Sequence, residues 1–530
     1  MSKTSLPTVM SHAFSRVPKA DIQRSSFDRS HGLKTTFNSG YLVPIFVDEA
    51  LPGDTMSLNT SVFARLATPI FPFMDNAFFD TFFFAVPMRL VWENWERFNG
   101  SQDNPGDTTD YLIPTMETPA VTGATIGTLS DYFGIPTAVP GLTHSAIWHR
   151  AYNLIINDWF RDENLQDSLT VNIDDGPDPY TDYELVRRGK RHDYFTSALP
   201  WPQKGPAVPL PLGTTAPVQG IGNMTQAYPM SNTTVYESGN TVSTIFASSQ
   251  VTGSASPTII REDPDNAGFP GIFADLSEAT AATINQLRSA FQIQRLYERD
   301  ARGGSRYTEI LRAHFGVTSP DSRLQRPEYL GGGNIPINLN PVAQTESSDA
   351  ATPQGNLAAI GTVQGNAGGF TKSFTEHNLI IGLCNVRADL NYQQGLNRMW
   401  SRQTRWDFYW PALAHIGEQA VLNKELYAQG TADDELTFGF QERFAEYRYK
   451  PSMITGDMRS ASPTSLDAWH LAQDFGSLPV LNSSFIEDNP PFDRVIATPD
   501  EPDFLLDVYY KYKCARPMPT YSVPGLIDHF

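Results

Sequence analysis

The run Phe78-Phe-Asp-Thr-Phe-Phe-Phe-Ala-Val86 constrains this chain more than any other feature. It is apolar on both faces, interrupted by Asp80, and rich in residues that favour extended backbone. A strand of this kind is stable only when layers cover it on both sides. It is too short to cross a membrane, and no stretch of the chain reaches the roughly 18 apolar residues a span requires. Strand-like segments precede it at Thr36–Phe37, Tyr41–Val43, Ile45–Val47 and Leu58–Leu66, punctuated by Pro52-Gly53, Pro69 and Pro72. Others lie far downstream, at 377–390, 436–449 and 504–514. Strands at the two ends of the chain must pair across everything between them. The pattern predicts one β-sandwich with insertions between its strands, although 530 residues would accommodate three or four separate domains.

The middle of the chain carries the insertions. Helices are expected around Trp92–Phe98 and over 144–160, where Ile147, Ala151, Leu154 and Ile155 share a face. Another is expected at 277–300, opened by an Asp275–Glu278 capping box. A further helix, Tyr307–Phe315, is stopped by Gly316, and shorter helices are expected at 418–428 and 464–472. Residues 205–260 hold a single charged side chain, Glu237, among Thr, Ser, Val, Gly and Pro. The segment reads as a β-rich surface excursion or as simple disorder. Segment 331–370, with only Glu346 and Asp349 charged, reads as a second long loop.

The formal net charge is −19, so the chain is no general nucleic-acid binder, since phosphate contacts need clustered cations. Its first 34 residues differ: Lys3, Arg16, Lys19, Arg24, Arg29 and Lys34 stand against Asp21 and Asp28. They read as an extended basic arm that orders against a partner, or as an ordinary solvated terminus. The opening residues lack the apolar core of a signal peptide. Cys384 and Cys514 are too few for a disulfide scaffold and read as buried free thiols of a reducing compartment.

Signals for catalysis are weak. HExxH, CxxC, GxSxG and phosphate-loop patterns are absent. His144 and His149 are five residues apart, a spacing that does not place both on one helix face. The acidic groups Asp174–Asp175, Asp433–Glu435 and Glu487–Asp488 could serve a glycosidase only if a cleft paired them; Asp174–Asp178 reads as a turn in preference to a calcium loop. The basic cluster Arg187–Arg191, and a second formed by Arg295, Arg299, Arg302, Arg306 and Arg312, could face phosphates. Pairing with carboxylates at subunit contacts is the favoured reading.

The stretch Asp300-Ala-Arg-Gly-Gly-Ser-Arg-Tyr-Thr-Glu-Ile-Leu-Arg-Ala-His-Phe-Gly316 and its continuation Ser319-Pro-Asp-Ser-Arg-Leu-Gln-Arg-Pro-Glu-Tyr-Leu-Gly-Gly332 resemble the major capsid proteins of the Microviridae, the gokushovirus branch in particular. Segments Ser30–Ile45 and Asp80–Trp92 resemble the same family, as does Trp400–Trp406 more weakly.

This resemblance implies an all-β core, an eight-stranded antiparallel viral jelly roll with large helical and loop insertions. It divides the chain into the arm 1–34 and one domain, 35–530, that includes the 203–275 excursion and the 331–370 loop. It implies a homo-oligomer, built through pentamers into a sixty-copy T=1 shell around circular single-stranded DNA, assembled in the host cytoplasm and located in the virion. The implied partners are a small basic DNA-binding protein and a host surface receptor, with a glycan as one option; no cofactor and no membrane insertion are implied. A charge of −19 repeated over such a shell would repel DNA unless segregated, so Lys3, Arg16, Lys19, Arg24, Arg29 and Lys34 are the expected DNA-facing residues. Tyr228, Tyr236, Glu237 and Phe246 are the expected host-contact residues. Competing readings are a carbohydrate-active β-sandwich enzyme and a receptor-binding spike.

Overall fold

The structure is a computed structural model that describes residues 23–208, 218–219, 262–263, 266–270, 273–274, 284–304, 306–317, 325–345 and 355–521. Two compact units emerge, one formed by Met1–Pro202 with Gly304–Phe530 and the other by Gln203–Gly303.

Eight strands build the core of the first unit: β1 (His31–Phe37), β2 (Val43–Ala50), β3 (Thr55–Leu66), β4 (Ala77–Pro87), β5 (Glu328–Pro336), β6 (Leu357–Ser373), β7 (Asn378–Ala388) and β8 (Phe504–Arg516). They form two antiparallel sheets, ordered β1-β8-β3-β6 and β2-β7-β4-β5, which is the strand order of a jelly roll. A short strand, Ser25–Asp28, also pairs with β8, and Asn338–Ala343 extends the first sheet beyond β6. β8 sits between β1 and β3 in the first sheet although it lies late in the chain, so the sheet closes only when that strand is inserted.

The two sheets enclose an aromatic core. Phe46, Phe83, Phe370, Tyr510 and Tyr512 meet across it, with ring centroids 5.1–6.2 Å apart. The Tyr510 hydroxyl donates to the Ile45 carbonyl at 2.6 Å, which satisfies a buried polar atom and ties the sheets together. Cys384 and Cys514 are free and buried in the same core.

β4 alternates between two cores. Phe79, Phe83 and Ala85 face the first sheet, while Phe84 and Val86 face an outer layer supplied by the β4–β5 insertion. Helix α1 (Ile147–Ile155) anchors that layer through Tyr152 and Ile155, and the Tyr152 hydroxyl donates to the Leu42 carbonyl at 2.9 Å. Residues inserted between β7 and β8 join Tyr194 and Phe195 in a third cluster with Val421, Leu426, Phe438 and Phe485.

Several expectations are corrected. Much of segment 331–370 is strand: β5, Asn338–Ala343 and β6 run through its described residues. Its glycines looked like loop residues, yet they let backbones touch. A Cβ on Gly333 would lie 2.5 Å from the Ala367 carbonyl carbon, and one on Gly369 would lie 2.0 Å from the Leu58 oxygen. The described part of the supposed arm, from Gln23 onward, lies in or beside the first sheet, because the free edge of β8 offers hydrogen bonds to Ser25–Asp28 and β1. Segment 418–428 is a strand, Glu418–Leu422, followed by one short turn of helix, and 464–472 holds only the 3-10 turn Asp467–Trp469.

The second unit shows short strand pairs, Val218–Gln219 with Phe273–Ala274 and Glu262–Asp263 with Asn266–Pro270, followed by helix α2 (Ile284–Gly303). The unit therefore extends to Gly303, beyond the boundary expected at 275. Helix α3 (Tyr307–Phe315) opens the return to the first unit and ends at Gly316, whose φ of 69° is the left-handed cap glycine favours.

Candidate functional site

The basic cluster Arg187–Arg191 lies over the outer side of the second sheet. Arg188 donates to Asp80 at 2.7 Å, and Arg387 reaches the same carboxylate oxygen at 3.0 and 3.2 Å. Burial pushes the Asp80 carboxyl up, but hydrogen bonding from Asn334 and the charges of Arg188 and Arg387 outweigh it and hold the carboxyl below its usual range. Arg191 pairs with Asp389 at 2.9 Å, Lys190 donates to the Phe485 carbonyl at 2.6 Å, and Arg187 stacks 4.2 Å from the Tyr41 ring centre. Asp488, buried at the centre of the cluster, is pushed up to about 6 by desolvation, against the pull of Arg387, Lys190, Arg188 and Arg187. These cations meet carboxylates and carbonyls of their own chain, and they pin the insertions to the sandwich. Arg306 behaves likewise, pairing with Glu163 at 2.7 Å. A hollow of about 560 Å³ beside the cluster is lined by Phe82, Phe84, Trp159, Arg161 and Tyr329, with Arg188 and Arg306 in its wall.

The acidic groups also have structural work. Arg150, 0% exposed, forms a two-pronged pair with Asp178 at 2.7 and 2.5 Å and donates to the carbonyls of Val91 and Asp174. Asp175 accepts from Trp92 and Asn94. Asp434 accepts from the backbone N–H groups of Gln429 and Gly430, and Glu487 accepts from the Ser483 hydroxyl. Contrary to the spacing argument, His144 and His149 do meet, their rings stacked with centroids 5.3 Å apart. His144 lies in the short strand Thr143–Ser145 ahead of α1, so helical spacing never applied to it. Burial depresses His149 to about 3, leaving it a neutral core residue. Among the described residues, no three His, Cys, Asp or Glu side chains are grouped to hold a metal, and no helix is long and apolar enough to cross a membrane.

The expected DNA-facing residues separate. Lys3, Arg16 and Lys19 lie outside the described residues. Arg29 is engaged by Asp48 in a bidentate pair and packs over the Tyr512 ring, so it bridges the two sheets. Arg24 reaches Thr55, and Lys34 pairs with Asp507 at 3.2 Å, both on the outer side of the first sheet. The expected host-contact residues Tyr228, Tyr236, Glu237 and Phe246 all lie outside the described residues.

One surface that the motifs did not single out as a site is an aromatic tract between β7 and β8. Trp400 is 71% exposed and Trp406 60%, and Met399, Phe408, Tyr409 and Trp410 are exposed with them. Arg402 lies 4.2 Å from the Tyr447 ring centre and Arg405 4.7 Å from that of Trp410. Beside the tract, a hollow of about 320 Å³ is lined by Met399, Trp400, Tyr449 and Met453. Isolated soluble proteins seldom expose so much contiguous aromatic surface, and aromatics, Met and Arg together are the composition of protein interfaces. The density of Trp and Arg over 400–410 was the available signal.

Comparison with known proteins agrees with this arrangement. Residues 15–526 match the family described as Capsid protein (F protein). The chain is 52% identical to Capsid protein VP1 of Bdellovibrio phage phiMH2K and 44% identical to Capsid protein VP1 of Chlamydia phage 1, over 98% of each chain in both cases. It is 38% identical to Capsid protein VP1 of Spiroplasma virus 4 over 97% of each. These are structural proteins of virions, which removes the carbohydrate-active enzyme as a reading. With a jelly-roll core and a match along nearly its whole length, the chain belongs to the phage capsid protein (F protein) family, among the gokushovirus-like Microviridae.

Proposed function

We propose that this major capsid protein assembles through pentamers into a sixty-copy T=1 shell that encloses circular single-stranded DNA. The observation that carries this reading is the end-to-end similarity to phage capsid proteins on a jelly-roll core with exposed, interface-like surface. The aromatic tract at 399–410 is a contact between copies, where Trp400 and Trp406 lose their exposure on assembly. Assembly takes place in the host cytoplasm. A small basic DNA-binding protein offsets the charge that an acidic shell sets against DNA. Lys3, Arg16 and Lys19 act with Arg24 and Lys34 toward the genome, and the 203–275 excursion, through Tyr228, Tyr236, Glu237 and Phe246, contacts a host receptor or glycan.

Cryo-electron microscopy of particles formed by the full chain, with extraction of nuclease-protected nucleic acid, tests the central claim. Sixty-subunit shells containing circular single-stranded DNA are the expected result; trimers or monomers at high concentration would refute it. Removing residues 2–22 spares the first-sheet strands and is expected to lower DNA retention. Excising 210–255 is expected to abolish adsorption while leaving shells intact.

A further inference from the structure

We propose that the open face of the first sheet is a bed for the enclosed single-stranded DNA, with Tyr509 and Phe63 stacking on bases and Lys34, Arg65, Lys511 and Lys513 meeting phosphates. This deepens, and rests on, the reading of the protein as a shell around single-stranded DNA.

Strand alternation defines the face. In β3 and β8 every second side chain is buried and the intervening ones are exposed. The exposed set includes Phe63, 50% exposed, and Tyr509, 53% exposed. In register, Tyr509 lies between Gly32 of β1 and Ser61 of β3, so no bulky cross-strand neighbour shields its ring. Phe63 lies between Asp507 and Gln364. The two aromatics are therefore diagonal neighbours on adjacent strands, about 7–8 Å apart along the backbone. Around them the face carries hydroxyls and amides, from Ser57, Asn59, Thr362 and Asn366, together with two exposed aliphatic side chains, Leu505 and Ile360.

The charge on this face reverses that of the molecule. The chain carries 58 acidic against 39 basic residues. On the outward positions of the sheet, however, Lys34, Arg65, Lys511 and Lys513 stand against two carboxylates, Asp507 beside Lys34 and Asp28 directly opposite Lys513. Lys511 and Lys513 are two residues apart on one strand, so their side chains leave the sheet about 7 Å from each other, the scale of successive phosphates on an extended strand. Flat polar surface, uncovered rings and aligned cations are what sequence-tolerant single-strand binding uses. Another copy of so acidic a chain could also be drawn to these cations, but uncovered rings interleaved with excess cations and hydroxyls match the stacking and phosphate contacts of a single strand.

The test is ultraviolet cross-linking of DNA-filled particles, with mass spectrometry of the cross-linked peptides, alongside Lys511→Glu/Lys513→Glu, Tyr509→Ala and Tyr509→Phe particles. The expected result is nucleotide adducts on peptides of β3 and β8. Charge reversal should lower protected DNA per shell by about an order of magnitude, while Tyr509→Phe keeps the wild-type cross-link and Tyr509→Ala loses it. DNA-filled wild-type particles whose adducts fall elsewhere would overturn the proposal, even if a variant failed to assemble. Lysine cross-links joining Lys511 or Lys513 to a neighbouring copy would also overturn it, by making the face a subunit contact. Wild-type shells without single-stranded DNA would instead refute the underlying function, so the two failures are distinguishable.

Discussion

The two sheets of the jelly roll share a core but differ on their outer sides. The second sheet is covered: Phe84 and Val86 of β4 pack under α1 and the β4–β5 insertion, and Asp80 is held by Arg188 and Arg387. Among the described residues, the first sheet is bare over β3 and β8, where Phe63 and Tyr509 are exposed. An aromatic side chain thus contributes to folding on one sheet and is left available for contact on the other. Coverage by inserted chain, rather than residue type, decides which.

This contrast gives graded expectations for the stability of the subunit. The largest effects belong to the covered side. Arg150→Ala leaves the Asp178 carboxylate buried without its partner and should cost about 3–5 kcal/mol. Phe84→Ala should cost a similar ~3–5 kcal/mol by opening a cavity under α1; chemical denaturation measures both. If Phe84→Ala proved as mild as a surface change, the distinction between the sheets would break.

A pH dependence follows from Asp488. Burial pushes its carboxyl up to about 6 from an ordinary 3.8, so the folded state binds the proton more tightly. The resulting stabilisation is fully present below about pH 4 and is lost as pH rises through about 6, an amount of about 3 kcal/mol. Asp488→Asn should flatten this slope in melting curves recorded between pH 4 and 7.

Gly382→Ala on β7 tests how tightly the shared core is filled. Its added Cβ would lie 2.7 Å from the Phe83 ring and 2.8 Å from the Phe46 Cβ. The crowding should cost about 1–3 kcal/mol, read as a lower denaturation midpoint. The smallest effect is expected for Phe63→Ala on the bare sheet, within about 0.5 kcal/mol for the subunit. A larger loss would mean that this ring is covered within the subunit itself.

Much of this architecture was legible because alternation and continuous apolarity are local. The Phe78–Val86 run announced a strand covered on both faces, and 504–514 a strand, as observed. Tyr307–Phe315 and its Gly316 stop were equally readable. The glycine-rich 331–370 segment misled because glycine marks turns and close backbone approach alike; only the partner strand distinguishes them. The 418–422 strand, read as helix, misled because so short a segment takes its conformation from its pairing with Thr437–Glu442.

The site residues divide along the same line. Composition pointed to cations at Arg24, Arg29 and Lys34 but could not show that Arg29 belongs to Asp48 while Arg24 and Lys34 share a sheet face with Lys511 and Lys513. The sequence by itself determined the layered β class, the helices with clear periodicity, the acidic balance and the family resemblance, since each is written in neighbouring residues. The tertiary structure alone decided the strand order, the internal pairing of the Arg187–Arg191 cluster and which aromatics stay in water. Those depend on contacts between residues hundreds of positions apart, and spacing along the chain carries no record of them.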